Sequence, residues 1–333
     1  MQYRKLGHLG TRVSAIGIGA MSLVDFYGPT DTEKSHALLT KALDLGIDQL
    51  DTSNKYGAGL SEDRIGSFLA KQGPQADTLF KIATKAGITT DADGNRCYDN
   101  SREHLEAELD KSLQRMGVDH VELFYVHRRE EARPIEEVTE TLARFVKAGK
   151  ILQFGFSEIA PTSLSVAAAV HPVGAVQNEY SLSTRSPEMG LVQKTAELGT
   201  SLVAFSPVGR GLLTDKPPSL EKCQSIDFLK ANPRFMEPNL SRNIAATNGF
   251  RALASEMGVA ASSLAIAWVL HQGEHVLPIP GTRSVDHLIE LAAGADMKLS
   301  LSDLEAIENV LPIGWAHGDR YTAGQWVGPE KYC

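Results

Sequence analysis

Cysteine is scarce in this sequence: three in 333 residues, at Cys97, Cys223 and Cys333. An odd number at wide spacing suits neither a disulfide framework nor a zinc site, and fits a reducing cytoplasm. Long apolar runs are missing too; none approaches the ~18 residues that a membrane-spanning helix needs. The opening MQYRKLGHLG has a basic start with no apolar stretch behind it, so no export signal is expected. Nor is there an excess of basic charge, and the net charge of −8 disfavours a nonspecific nucleic-acid surface. Linkers, charge blocks and low-complexity segments are absent. What remains is a globular chain, with neither membrane nor nucleic acid expected as partner. Monomer and homo-oligomer both stay open.

The sequence is rich in a repeat of element type without a repeat of sequence. Short runs of Val, Ile, Leu and Phe alternate with amphipathic stretches of ten to fifteen residues or so, the pattern of successive βα units. Candidate strands are SAIGIGA from Ser14, IDQLD from Ile47, LFKIATK from Leu79 and VELFYVH from Val121. Then come ILQFGFS from Ile151, GAVQNEY from Gly174, SLVAFSP from Ser201 and HVLPIPG from His275, eight in all. The helix TDTEKSHALLTKALDLG opens with a Thr30-x-x-Glu33 capping box and stops at Gly46. SREHLEAELDKSLQRMG has Ser101 as N-cap, an apolar face at Leu105, Leu109, Leu113 and Met116, and Gly117 as its stop. RPIEEVTETLARFVKAGK and SPEMGLVQKTAELG follow the same rule, with Pro near the start and Gly at the end. The expected architecture is a single (β/α)8 barrel domain over residues 1–333. Two pieces fall outside the repeat: a helix SRNIAATNGFRALASEMG before the eighth strand, and SLSDLEAIENVL with the tail to Cys333. A doubly wound dinucleotide fold fits poorly, because GIGAMS places Ser22 where G-x-G-x-x-G needs its third glycine.

Barrels of this kind gather their chemistry at the carboxyl ends of the strands. There the sequence places Asp51 and Tyr56 after the second strand, Lys85 at the end of the third and His127 at the end of the fourth. Singly, each has an ordinary reading as a turn former, a half-buried aromatic, a snorkelling lysine or a strand-end histidine. Four together form an acid–base set. A tyrosine hydroxyl, with an ordinary pKa of ~10, is a poor acid at neutral pH. A lysine ammonium beside it is expected to lower that pKa, with Asp51 keeping Lys85 charged and His127 either donating to a substrate oxygen or sharing in the proton relay. No metal ligand spacing, nucleophile elbow or paired carboxylates accompany the set, so electrons are expected from a cofactor.

These residues sit in stretches that resemble the aldo-keto reductases along nearly the whole chain. The matching pieces are GIGAM (17–21), LDTSNKYGAGLSEDRIG (50–66), IATKAG (82–87), LFYVH (123–127), GFSE (155–158), VQNEYS (176–181), AFSPVGRG (204–211) and PIPGTRS (278–284). DFYGPTD (25–31) and NPRF (232–235) further resemble the bacterial and plant branch. The resemblance implies a (β/α)8 barrel plugged by an N-terminal hairpin, and reduction of aldehydes or ketones by NADPH, with NADH open. Tyr56 would be the general acid, Asp51 and Lys85 would tune it, and His127 would orient the carbonyl. Gly19 and Met21 would border the cofactor, Phe205 would stack on the nicotinamide, and Ser157 and Gln177 would hold its carboxamide together with Glu158. Ser206, Pro207, Gly209, Arg210 and Gly211 would cover the pyrophosphate. Arg283 would take the 2′-phosphate at a helix start, with Thr282 and Ser284 adding hydroxyl donors and Gly281, His287 and Glu290 bordering the cofactor.

Departures from the family pattern are Phe205 for a common Tyr, Glu158 for Asn, His287 for Arg or another polar group, and Leu291 for Asn. Phe26, Tyr27 and Arg128, with Arg129 and Phe235, are expected to wall the substrate pocket, closed by Trp315, Tyr321 or Trp326. Two other functions stay open at this stage: a nucleotide-binding regulatory subunit like the potassium-channel beta subunits, and a Schiff-base lyase with Lys85 as nucleophile.

Overall fold

Eight short parallel strands follow one another round a ring. The computed structural model describes residues 1–332, the side chain of Asp77 excepted; Cys333 lies outside the described residues. A hairpin of β1 (Tyr3–Leu6) and β2 (Thr11–Ser14) precedes the ring. The ring begins with β3 (Gly17–Gly19), β4 (Gln49–Asp51) and β5 (Lys81–Ala86), which are followed by a small antiparallel hairpin, β6 (Ile88–Thr90) and β7 (Arg96–Tyr98). It continues through β8 (Val121–Val126), β9 (Ile151–Ser157), β10 (Ala175–Glu179), β11 (Ser201–Phe205) and β12 (Val276–Pro278). Each ring strand pairs in parallel with the next. Gly19 N donates to Pro280 O at 2.9 Å across the seam between β3 and β12, completing the (β/α)8 barrel.

Alternation along the strands sorts the side chains. Leu123 and Tyr125 of β8, Val203 of β11 and Leu277 of β12 point into the barrel and pack on Leu6 and Val13 of the N-terminal hairpin, which plugs its base. Phe124, Val126, Leu202 and Ala204 point outward under the helices. By the same period of two, Lys85 follows Ala83 into the barrel interior, and Asp51 lies opposite Ala83 in the neighbouring strand. Register alone therefore brings an acid and an amine together at the carboxyl end.

Several helix expectations are corrected. The first helix, Thr32–Asp44, is capped by Asp31, whose side chain accepts from Lys34 N, and not by a Thr30–Glu33 box. SPEMGLVQKTAELG is one 3-10 turn (Ser186–Glu188) and a short helix (Leu191–Glu197) entered through Gly190 at φ 115°. SRNIAATNGFRALASEMG is two helices, Asn239–Ala246 and Asn248–Glu256, broken at Thr247. Ser101 caps Arg102–Met116 as expected, and Gly117 ends it in the left-handed conformation.

The seam depends on two glycines. A Cβ on Gly19 would lie 2.7 Å from Ile279 O, and one on Gly281 2.8 Å from Gly19 O. Gly19→Ala is predicted to lower the free energy of unfolding by about 1–3 kcal/mol, the usual cost of overpacking. Urea titration of the ligand-free protein measures it; an unchanged midpoint and slope would contradict the tight seam.

Candidate active site

At the carboxyl end of the barrel the Lys85 ammonium has three acceptors. It donates to Asp51 Oδ1, to Thr52 O at 2.7 Å and to Tyr56 Oη at 3.3 Å. An ammonium has three protons, and these bonds use all of them. The phenol oxygen is thus an acceptor toward Lys85, which leaves its own O–H free. Tyr56 is held there by a turn whose backbone is left-handed at Gly57, Ala58 and Gly59 (φ 61°, 54° and 98°). The second Asp51 oxygen accepts from Gln177 Nε2 at 2.7 Å. His127 follows β8, its ring centroid 6.0 Å from that of Tyr56, and its Nδ1 lies 3.2 Å from Ser53 Oγ.

Burial governs the charge states. It pulls Lys85 downward, but the Asp51 carboxylate and the Tyr56 oxygen outweigh it and the amine is raised above its ordinary value. Burial pushes Asp51 upward against the opposing pull of Lys85 and Gln177. Tyr56 corrects the sequence expectation: Lys85 does pull it down, but burial is the larger effect and the phenol is raised. It therefore stays protonated at neutral pH. His127 is pushed well below its ordinary value, by burial first and then by the positive charges of Arg128 and Lys85, so its ring is neutral.

Asp51, Tyr56 and His127 face a cavity of about 1170 Å³ that runs across the barrel mouth to the helix Val285–Ala293, with Lys85 buried behind them. That exceeds the ~300–1,000 Å³ of a typical small-molecule site and has room for a dinucleotide beside a substrate. Gly19, Met21, Ser157 and Gln177 line its inner part. Phe205, Ser206, Pro207 and Gly211 form the wall after β11, with Ser206 strained at φ 51°. Gly281, Thr282, Arg283, Ser284, His287 and Glu290 border the far end, where Ser284 caps the helix. Phe26, Tyr27 and Arg128 also face the cavity. A nicotinamide dinucleotide fits this donor set: Arg283, Lys216 and Lys222 are cations on the wall with no carboxylate partner among the described residues. Among the described residues Arg283 Nη1 donates only to Pro29 O, at 3.2 Å.

Other expected positions are not as the sequence reading had them. Gly209 (φ 58°) is buried behind the wall. Arg210 borders the cavity, but its guanidinium is engaged by Glu179 at 2.6 and 3.2 Å, which removes it from a phosphate role. Glu158, at φ 61°, turns its carboxylate away from the cavity to Arg320 and Glu179 N, so it does not reach a carboxamide. Arg129 pairs with Glu330 at 2.6 Å, off the wall. Phe235 is buried with Leu212, Leu229 and Leu240. Trp315 donates to Leu182 O and Trp326 to Asp319, leaving Tyr321 as the tail aromatic on the wall. Sequence reasoning missed Ile88, Thr89, Thr90 and Arg96 of the small hairpin, Lys55, and the inserted Lys216, Lys222 and Phe228. The hairpin did have a signal, the DADGN turn between two β-prone runs.

Among the described residues no group of His, Cys, Asp or Glu is placed to hold a metal ion. Among the same residues no single helix is long and apolar enough to cross a membrane. A (β/α)8 barrel with a Lys-bound tyrosine, a neutral histidine and a long cation-rimmed groove is a site that fits an oxidoreductase with a nucleotide cofactor. The chain matches the model of the aldo/keto reductase family over residues 15–312, and belongs to that family. It is 36% identical over 325 residues to the aldo-keto reductase yakc of Schizosaccharomyces pombe, whose name specifies NADP(+), covering 96% of this chain and 94% of that one. It is 37% identical over 321 residues to probable aldo-keto reductase 1 of Glycine max, covering 96% and 92%. In fold it resembles a glycerol dehydrogenase from Gluconobacter oxydans (TM-score 0.81, 24% identity, 93% of this chain and 94% of that one). It also resembles a thermostable aldo-keto reductase bound to the inhibitor epalrestat (TM-score 0.73, 24% identity, 93% and 100%).

The neutral His127 carries a pH prediction. An unfolded histidine takes up a proton near pH ~6.5, whereas the folded site resists until a much lower pH. Below about pH 6.5 the unfolded state therefore binds more protons, and stability falls as the pH is lowered. His127→Gln should lose stability less steeply than the wild type between about pH 6.5 and 5, by denaturant titration at each pH; parallel curves would contradict a buried neutral ring.

Proposed function

We propose that the protein reduces aldehyde and ketone carbonyls to alcohols, using NADPH, with Tyr56 as the proton donor. The carrying observation is the Lys85 arrangement: all three ammonium protons are used, one of them on the phenol oxygen, so the Tyr56 proton is the one free to leave. When bound, the cofactor supplies the hydride and Tyr56 the proton. As negative charge grows on the carbonyl oxygen, Tyr56 O–H shifts onto it, and the charge left on the phenolate falls on Lys85. Asp51 keeps Lys85 charged throughout. His127, neutral, donates from Nε2 to the same oxygen when Ser53 O–H donates to its Nδ1. Catalysis lies in donors already aimed at the atom where charge develops.

The cofactor's place is supported by the cation-rimmed end of the groove. Ser157 and Gln177 lie beside the chemistry, Phe205 offers a face to stack on, and Arg283 at the helix start offers a planar fork to a 2′-phosphate. The NADP(+) specified in the name of the fission-yeast relative agrees with that assignment. A lyase role for Lys85 is disfavoured, because a Schiff base needs a free amine and Lys85 is held as ammonium by Asp51. We further propose that the chain works as one domain in a reducing cytoplasm.

Tyr56→Phe is expected to cut carbonyl-dependent NADPH oxidation by about 10²–10⁴ while NADPH still binds with near wild-type affinity. Turnover close to wild type would remove Tyr56 from the role. Arg283→Ala should raise the Michaelis constant for NADPH by roughly tenfold or more and leave that for NADH little changed. Equal effects on the two would contradict the phosphate assignment.

A further inference from the structure

The buried arginines of this fold differ in their partners. Arg210, Arg234 and Arg320 surround the carboxylates of Glu179 and Glu158. Arg64 gives its guanidinium to the backbone carbonyls of Leu23 and Thr30. Arg128 stands directly after His127 on the cavity wall, only 8% exposed, and forms no ion pair with any carboxylate among the described residues. Its Nη1 donates to His127 O at 2.6 Å and to Ser157 Oγ at 3.1 Å, and its Nη2 reaches Tyr321 Oη at 3.4 Å. Among the described residues its Nε–H has no partner.

That pattern leaves one edge of the guanidinium without a strong acceptor, its Nε buried and unpartnered among the described residues. Nε–H and one Nη2–H point the same way and form the side of the fork that takes both oxygens of a carboxylate. Here that edge holds only the long Tyr321 contact. A buried cation without a counter-ion is costly, and a ligand anion would relieve the cost. Nearby protein acids are not available to do so: Asp51 is held by Lys85 and Gln177, and Glu108 by Lys111 and Asn54. Arg128 follows His127 directly, and its charge is felt by both Tyr56 and His127, which puts it at the acid–base end of the cavity.

We infer that Arg128 is an anion subsite, and that the preferred substrates are aldehydes or ketones carrying a carboxylate a few bonds from the carbonyl. The inference rests on the proposed reductase activity, since Tyr56 and His127 define where the carbonyl sits. The carboxylate meets the Nε–Nη2 edge and takes the place of the Tyr321 hydroxyl. A methyl ester of the same skeleton leaves the cation unpaired.

The test measures kcat/KM with NADPH for phenylglyoxylate, 4-oxobutanoate, and 2- and 4-carboxybenzaldehyde, each against its methyl ester. At least one acid should exceed its ester by about tenfold or more, the worth of one charge-assisted pair. In Arg128→Met that ratio should fall to near one whatever the overall rate, and Arg128→Lys should keep part of it. Esters equal to or better than acids at every skeleton in the wild type would overturn the inference without recourse to any variant, and so would an acid preference that survives in Arg128→Met. Calorimetric titration of benzoate against benzamide separates binding from turnover. If no carbonyl is reduced yet benzoate binds about tenfold more tightly than benzamide, and loses that advantage in Arg128→Met, the anion site stands and the reductase reading falls. Equal binding of the two in the wild type counts against the site.

Discussion

The Asp51–Lys85 ion pair is the interaction on which the rest of the site depends. Lys85 is 0% exposed and Asp51 5%, so both have lost the water that would solvate them. Such a pair survives only if the remaining protons and lone pairs are also satisfied. Thr52 O and Tyr56 Oη take the other two lysine protons, and Gln177 takes the other carboxylate oxygen. Polar satisfaction and function coincide here, because the bond that completes Lys85 also fixes which way the Tyr56 proton points. Replacing either member of the pair leaves the other buried and unmatched, so the tyrosine cannot be tuned without the whole set.

A second buried ionic cluster holds the rim. Glu179 and Glu158, from the ends of β10 and β9, are enclosed by Arg210, Arg234 and Arg320. Burial pushes Glu179 upward, but the three arginines outweigh it and hold the carboxyl below its ordinary value. Arg320 belongs to the tail, which is fastened again where Glu330 accepts from Arg129 and from Ala160 N. Tyr98 of the small hairpin also donates to Val327 O. The tail is thereby laid over the barrel mouth with Tyr321 facing the cavity. Arg210 and Glu158, which the family pattern directs toward cofactor, serve this scaffold instead.

Much of the fold was legible because βα alternation writes itself in the chain. Seven of the eight ring strands fall inside the apolar runs, β5 overruns its run by Ala86 alone, and β9 coincides with ILQFGFS. Helices with one apolar face, such as Arg102–Met116, were equally plain. Ala261–His271 was not, because every residue from Ala261 to Leu270 is buried and no polar face marks the helical period. The strand-end rule found Asp51, Lys85 and His127, and the structure brings them together with Tyr56. Long-range pairing was what the sequence could not reveal. Nothing near Arg210 announces Glu179, and nothing near Glu158 announces Arg320, 162 positions further on. The sign of the Tyr56 shift was misjudged for the same reason, since it depends on how deeply the surrounding fold buries the phenol.

The central claim is that a buried, fully hydrogen-bonded ammonium makes Tyr56 the acid of a reductase. The most direct measurement is the rate of aldehyde-dependent NADPH oxidation by Lys85→Met under single-turnover conditions, with NADPH binding followed in parallel. The account predicts that NADPH binds and that reduction falls by roughly 10²-fold or more, since the charge left on Tyr56 then has no cation beside it. Reduction at the wild-type rate with Lys85 removed would contradict it.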